Sequence, residues 1–265
     1  MSEPRKTRKL LGWILVPLLV VAAAATWFAV DPAFRLERSA PDGATALPKD
    51  EFEQRVRDYI LNNPEVIMEA ARRFEQRQRA AAEGEATSVL KSRADEIFRD
   101  AGSPVGGNPG GDVTLVEFFD YNCPYCRKVA PVMSEAESAD PQLRVVYKEF
   151  PILGPNSSYA AKAALAVHKQ GKYLAFHREL MQGRGTVDTS RVIEAAGKVG
   201  VDVERMKSDM NDPAIAAAIE RNLALAQVLR IDGTPGFVIG EKILRGATDL
   251  KTMQGLIRDA RASRG

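Results

Sequence analysis

The stretch that decides the fold is VTLVEFFDYNCPYCR, residues 113–127 of a chain of 265 residues. Residues 113–119 form an almost unbroken β-branched and aromatic run, which predicts a central strand buried on both faces. Helical spacing begins at Pro124 and continues through YCRKVAPVMSEAES, so a helix follows the strand directly. Cys123 is therefore predicted to lie at the N-terminus of a helix that emerges from a buried strand.

Cys123 and Cys126 are the only cysteines in the chain. Unpaired backbone N–H groups and the positive end of a helix dipole favour thiolate over thiol, and they lower a cysteine pKa from about 8.5 toward about 3.5–7.5 in such motifs. We therefore expect Cys123 to be a nucleophile. Cys126 follows one turn later on the same face, where it can attack a mixed disulfide and release the substrate.

Three other uses of the cysteine pair have weaker support. A zinc site needs four ligands, but there is no second cysteine pair, and His168 and His177 lie far off without ligand spacing. Copper(I) sites usually also contain clusters of methionine or histidine. A structural disulfide that encloses only two residues would restrain little of the unfolded chain. We expect redox chemistry without a metal or cofactor. A non-enzymatic copper(I) or zinc binding module is the alternative.

A second set of elements lies near the end of the chain. IDGTPGFVIG, residues 231–240, predicts a strand at 236–240 whose hairpin partner is 242–245. Asp249 is the expected N-cap of a final amphipathic helix. An earlier strand, helix and strand are predicted at residues 113–119, 123–137 and 143–148. The two sets are the halves of a thioredoxin fold, of the α/β class.

An all-helical insertion is predicted between these halves, at about residues 155–230. Its sequence contains several helical segments, from SSYAAKAALAVHKQ to PAIAAAIERNLALAQVLR. His168 and His177 lie on these helices without a partner motif, so we expect packing or surface roles for both.

FFDYNCPYC, followed much later by GTPGFVIG, resembles the DsbA-like thiol-disulfide oxidoreductases of the thioredoxin superfamily. The resemblance covers roughly residues 103–262 and includes the helical insertion. It implies that the bond between Thr234 and Pro235 is cis and faces the cysteine pair. Pro235 would then shape the surface beside Cys123, and the Thr234 backbone would pair with an extended substrate.

Glu117 also matches the family, in which an acidic residue lies on the strand six positions before the first cysteine. Independently, its apolar neighbours on a buried strand predict a desolvated carboxyl with a raised pKa, suited to accept or supply the proton of Cys126. Lys148, on the predicted strand RVVYKEF, is the candidate charge partner. The alternative is a structural buried ion pair without a catalytic part.

The dipeptide between the cysteines departs from the best-known periplasmic oxidase of the family, which has Pro-His there. Here the dipeptide is Pro124-Tyr125. Because Tyr125 cannot carry a positive charge to stabilise the thiolate, we expect a milder oxidant.

The first 30 residues are predicted to be a signal or membrane anchor. Basic residues precede an uncharged run at residues 10–30, long enough to cross a hydrocarbon core of about 30 Å. An uncleaved anchor is favoured over a removed signal, and both place the rest of the chain outside the cytoplasm, in a bacterial periplasm. Residues 31–49 are rich in proline and predict a linker.

Residues 50–101 are predicted to form an N-terminal helical segment that precedes the thioredoxin domain at 102–265. Helices are expected at about 50–62, 64–85 and 87–100, and the glycine-rich residues 102–111 are expected to be a connector. The narrow apolar stripe of the second helix suggests association between chains; packing onto its own domain is the alternative. Its arginines are interrupted by acidic and amide residues, which favours a solvated face over a nucleic-acid or lipid contact.

EFEQRVRDYILNNPEVIMEAARRFEQRQ resembles the N-terminal segment of the ScsC proteins and related DsbA-like isomerases, some of which trimerise through it. This resemblance implies a homotrimer formed through residues 50–85. The formal net charge of +2 gives no indication of a nucleic-acid partner.

The sequence thus predicts an exported DsbA-like enzyme that exchanges disulfides with substrate proteins containing cysteine pairs. It would act either as an oxidase, kept oxidised by a membrane partner of the DsbB type, or as an isomerase, kept reduced by one of the DsbD type.

Overall fold

A computed structural model describes residues 48–263 of the chain. The predicted signal or anchor at residues 1–30, and all but the last two residues of the predicted linker, lie outside the described part. Within residues 48–263, none of the helices combines the length and apolar character that a membrane span requires.

Three helices precede the sheet. They are α1 (Lys49–Asn62), α2 (Glu65–Ser92) and α3 (Ala94–Phe98). The predicted break near Gly84 is wrong, because α2 continues through it. A glycine inside a helix costs only about 1 kcal/mol relative to alanine, and Gly84 is surrounded by good helix formers. The chain divides into two compact units within α2, between Ala71 and Arg72.

A five-stranded mixed sheet forms the centre of the second unit, in the order β1-β3-β2-β4-β5. Its strands are β1 (Val105–Gly107), β2 (Val113–Phe119), β3 (Leu143–Glu149), β4 (Gly236–Ile239) and β5 (Lys242–Arg245). β2 and β3 are parallel, and the other pairs are antiparallel. The prediction that residues 102–111 are only a connector is wrong, since β1 lies within them. This strand of three residues is too short to show a hydrophobic period.

Helices α4 (Pro124–Ala139) and α10 (Leu250–Ala262) complete the two halves of the thioredoxin fold. Asp249 caps α10 as predicted, because its side chain accepts a hydrogen bond from the backbone N–H of Thr252. The helical insertion is also confirmed. It contains α5 (Pro155–His168), α6 (Tyr173–Gln182), α7 (Thr189–Lys198), α8 (Val203–Asp209) and α9 (Pro213–Val228).

Every residue of β2 is buried, so the strand is covered on both faces. Leu115 and Phe119 belong to the larger apolar core, which also contains residues of α4, α6 and α10. Val116 and Phe118 belong to a second core with Ile97 of α3 and residues of α9. The alternation along β2 therefore decides which residues share a face with Glu117.

Lys148 is not the charge partner of Glu117, and the prediction of that ion pair is wrong. In the parallel register, Glu117 lies beside Tyr147, whereas Lys148 lies beside Phe118 and therefore on the opposite face of the sheet. Lys148 is only 1% exposed, and its Nζ donates to Oδ2 of Asp100 at 2.9 Å. The same Nζ donates to the backbone O of Glu96 and to Oγ of Ser103, both at 2.8 Å. Lys148 thus joins β3 to α3 and to the segment that follows it.

We expect Asp100→Ala to lower the free energy of unfolding by about 2–4 kcal/mol, because it leaves the buried ammonium of Lys148 without its counter-charge. Asp95→Ala is the matched control. It removes an exposed ion pair with Arg99 and should cost less than about 1 kcal/mol. Denaturant unfolding of the reduced proteins measures both values. Equal losses in the two variants would contradict this role of Lys148.

Candidate active site

The cysteine pair lies where β2 passes into α4. The backbone N–H of Cys123 donates to the carbonyl of Asp120 at 3.0 Å, which turns the chain sharply after the strand. Cys123 is the N-cap of α4, and its Sγ accepts a hydrogen bond from the backbone N–H of Cys126 at 3.3 Å. Both cysteines are buried, and they are present as free thiols rather than as a disulfide. The predicted position of Cys123 at a helix N-terminus is confirmed.

The loop before β4 approaches the cysteine pair from the opposite side. The peptide bond between Thr234 and Pro235 is cis, as the family resemblance implies. When Cys123 is protonated, its thiol donates to the carbonyl oxygen of Thr234, which lies 3.2 Å from Sγ. Gly236 follows at once and pairs with Phe118 near the end of β2. The antiparallel register of β4 therefore holds the Thr234–Pro235 bond beside Cys123.

The two thiols have opposite electrostatic environments. A hydrogen bond from the Cys126 side chain, opposed by burial, lowers the pKa of Cys123 from 9.0 to about 5. Burial raises the pKa of Cys126 far above its ordinary range, and the hydrogen bond with Cys123 and the charge of Glu117 add to this effect. At neutral pH, Cys123 is a thiolate and Cys126 is a thiol.

Glu117 lies on the same face of β2 as Leu115 and Phe119, and it is only 2% exposed. Burial raises the pKa of Glu117 to about 8, and the charges of Glu137 and Cys123 contribute in the same direction. Its side chain lines a cleft of about 670 Å³ beside α4 and α6. The Glu117 carboxyl is therefore protonated at neutral pH, and the cleft gives it access to solvent.

The sequence profile of the DSBA-like thioredoxin domain family matches residues 114–258, which is more than half of the chain. The chain belongs to the DsbA-like family. A second profile, that of the copper resistance protein ScsC N-terminal domain, matches residues 49–81. The matches confirm both resemblances found in the sequence, and the chain is thus a DsbA-like thiol-disulfide oxidoreductase family member with a CXXC pair.

Solved structures of similar proteins cover most of this DsbA-like chain. A thioredoxin-like oxidoreductase from Silicibacter pomeroyi DSS-3 has 46% sequence identity and a TM-score of 0.62, and the match covers 63% of this chain and 97% of that chain. ScsC from Proteus mirabilis, in a transitional conformation, has 30% identity and a TM-score of 0.62. That match covers 81% of this chain and 97% of ScsC.

Several curated relatives are much longer proteins. The Na(+)/H(+) antiporter NhaA of Herminiimonas arsenicoxydans is 29% identical over 159 residues, which are 59% of this chain and 25% of the antiporter. The chain spans about a quarter of the length of the first curated relatives that it matches.

Two residues that the sequence analysis missed position the DsbA-like active site. The buried carboxyl of Asp120 accepts hydrogen bonds from the backbone N–H groups of Asn122 at 2.8 Å and Leu153 at 2.9 Å. The side chain of Asn122 exchanges two hydrogen bonds with the backbone of Val187, at 2.7 and 3.2 Å. Short polar residues between a strand and a helix often bind neighbouring backbone in this way, and that signal could have identified both.

The two histidines have packing roles in the described structure. His177 is buried, its ring stacks with Tyr173, and its Nδ1 lies 3.3 Å from the hydroxyl of Tyr121. Burial lowers the pKa of His177 to about 3, so the ring is neutral. His168 makes an edge contact with Tyr173. Across residues 48–263, histidine, cysteine and carboxylate side chains form no group of three or more that could hold a metal ion.

We expect the ultraviolet absorbance of the Cys123 thiolate in the reduced protein to titrate with a midpoint near pH 5, and the Cys123→Ser variant to lack this transition. Because the folded pKa lies below the ordinary value of 9.0, the thiolate stabilises the folded reduced protein at high pH. This contribution is lost as the pH falls through about 5. A midpoint close to 9 would contradict the described environment of Cys123.

Proposed function

We propose that this DsbA-like protein is an exported thiol-disulfide oxidoreductase that exchanges disulfides with cysteine pairs of periplasmic proteins through its CPYC dithiol. The main support for the proposal is the difference in protonation between the two cysteines. Cys123 is a thiolate at a helix N-terminus beside Thr234, and Cys126 is a buried thiol one turn later. A stabilised thiolate next to a protected thiol is the arrangement that dithiol exchange requires.

In the reducing direction, the Cys123 thiolate attacks a substrate disulfide, forms a mixed disulfide and displaces one substrate thiolate. The sulfur of Cys126 then attacks Sγ of Cys123, and the electron pair of the mixed disulfide leaves on the second substrate sulfur. Glu117, once it has released its own proton, accepts the proton of Cys126 in this step. The substrate is reduced and the protein is oxidised; oxidation of a substrate follows the same steps in reverse.

The surface around Cys123 suits an extended polypeptide. Tyr125 is 61% exposed, and Ile152 and Leu153 of the loop after β3 are also exposed. Exposed apolar side chains next to a reactive site favour contacts with apolar substrate segments. Pro235 lacks a backbone N–H and shapes the groove beside Cys123, while the Thr234 backbone pairs with the substrate chain.

We assign the exposed apolar residues of α1 to contacts with second and third copies of this chain. Phe52, Val56 and Tyr59 follow helical spacing and are all exposed, and Leu61 is exposed near the end of the same helix. A helix with no buried residue of its own gains stability when such a face is covered. The match to the ScsC N-terminal domain over residues 49–81 also supports a homotrimer formed through residues 50–85.

The proposed location is the periplasm, with residues 10–30 as an inner-membrane anchor or a removed signal. One solved relative is a periplasmic thioredoxin-like protein from Salmonella enterica serovar Typhimurium. A membrane partner of the DsbB type would keep the dithiol oxidised for oxidase activity, and one of the DsbD type would keep it reduced for isomerase activity.

The test is turnover of two substrates by the chain beginning near Ala40. The reduced protein is given a scrambled multi-disulfide protein, and the disulfide form is given a reduced protein substrate. We expect at least one substrate to be converted, and Cys123→Ser to reduce conversion to the background rate. Reactivation of the scrambled substrate indicates an isomerase, and rapid oxidation of the reduced substrate indicates an oxidase.

The variant Phe52→Glu tests whether this activity depends on oligomerisation. Light scattering should show a trimer for the parent chain and a monomer for Phe52→Glu, with Glu53→Gln on the same helix as the matched control. Loss of reactivation only in Phe52→Glu would assign isomerase activity to the trimer. Retention of copper(I) or zinc after dialysis, without conversion of either substrate, would contradict the proposed function and support the binding module.

A further inference from the structure

A second carboxylate lies close to Glu117. Glu137 is on α4, eleven residues after Cys126, and this spacing is close to three helical turns. Both side chains are therefore on the face of α4 that is turned toward the sheet. The side chain of Glu137 is only 7% exposed. A buried carboxylate so near the site needs a structural reason.

Tyr147 lies beside Glu117 in the sheet and forms a hydrogen bond with Glu137. It is the neighbour of Glu117 in the parallel register of β2 and β3, so both side chains leave the sheet on the same face. The hydroxyl of Tyr147 donates to Oε1 of Glu137 at 2.5 Å. Nη2 of Arg178, on α6, lies 3.3 Å from Oε2 of Glu137. Glu137 is thus held from two sides.

Gly106 of β1 provides the space for this contact. A Cβ atom at this position would lie 2.9 Å from Oε1 of Glu137 and 3.0 Å from Cε2 of Tyr147. Both distances are too short for any residue other than glycine unless the two side chains move. The edge strand, α4 and β3 therefore fit together around the hydrogen bond between Tyr147 and Glu137.

The same cleft gives solvent access to Glu117, Tyr147 and Arg178, which all line it. Charged and titratable groups face Glu117 from three elements. They are Cys123 at the N-cap of α4, Cys126, Arg127, Lys128 and Glu137 on α4, Tyr147 and Glu149 on β3, and His177 and Arg178 on α6. On β4, its neighbour is the apolar Phe237. Among these groups, Glu137 and the Cys123 thiolate carry the negative charge that acts on Glu117.

This inference rests on the proposed function. We propose that Glu137 is a positioning residue whose charge, held in place by Tyr147 and Arg178, adds to burial in keeping the proton on Glu117 while Cys123 is a thiolate. When Cys123 enters a mixed disulfide, the thiolate charge disappears, and Glu117 releases its proton to water in the cleft more readily. The resulting carboxylate accepts the proton of Cys126 as the sulfur of Cys126 attacks Sγ of Cys123. Glu117 is thus a more effective base after the substrate is bound.

The test follows the protonation of Glu117 by NMR of the reduced full chain with isotope-labelled glutamate, and Glu117→Gln assigns the signal. We expect a midpoint near pH 8 in the parent chain. Glu137→Gln should lower it by about one pH unit, because a like charge close to the carboxyl is removed. Arg178→Gln should raise it, because the cation that offsets Glu137 is lost. The two substitutions are expected to shift the midpoint of the Glu117 titration in opposite directions, and a general loss of structure would not produce that result.

Glu135→Gln is the matched control, since Glu135 is an exposed carboxylate on the same helix. It should leave the midpoint unchanged. An unchanged midpoint in Glu137→Gln, an equal shift in Glu135→Gln, or a downward shift in Arg178→Gln would overturn the proposal. The measurement uses no substrate, so it is independent of turnover. Failure of substrate conversion with a shifted midpoint would refute the proposed function alone, and conversion with an unshifted midpoint would refute the role of Glu137 alone.

Discussion

The hydrogen bond from the backbone N–H of Cys126 to Sγ of Cys123 is the contact on which the site depends. It exists because the buried strand β2 ends just before α4 begins, which makes Cys123 the N-cap of that helix. The same geometry buries Cys126 one turn later. A single junction between a strand and a helix therefore produces two thiols of the same chemical type with opposite protonation at neutral pH.

The sheet supplies the remaining parts of the site through its register. The antiparallel pairing of β2 with β4 places the cis bond between Thr234 and Pro235 beside Cys123. The parallel pairing of β2 with β3 places Tyr147 beside Glu117. Burial then raises the pKa of Glu117 to about 8, within the range where a proton can be exchanged during thiol chemistry.

Local sequence patterns predicted most of the fold. The unbroken apolar run at residues 113–119, the helical spacing after Pro124 and the segment at residues 231–240 indicated the two halves, and helical segments between them indicated the insertion. The pairing of Lys148 with Glu117 was wrong because it depends on the register between β2 and β3, and a shift of one residue moves a side chain to the other face. The contact of Tyr147 with Glu137 depends equally on three elements, so neither residue stood out in the sequence.

The reactivity of this site depends on Cys123 being a thiolate while Cys126 remains a protected thiol. The most direct measurement is the rate at which an alkylating reagent modifies each cysteine of the reduced protein at neutral pH, mapped by mass spectrometry of peptides. We expect modification of Cys123 at least about 100-fold faster than that of Cys126, because the thiolate is the reactive form. Equal rates, or faster modification of Cys126, would contradict it.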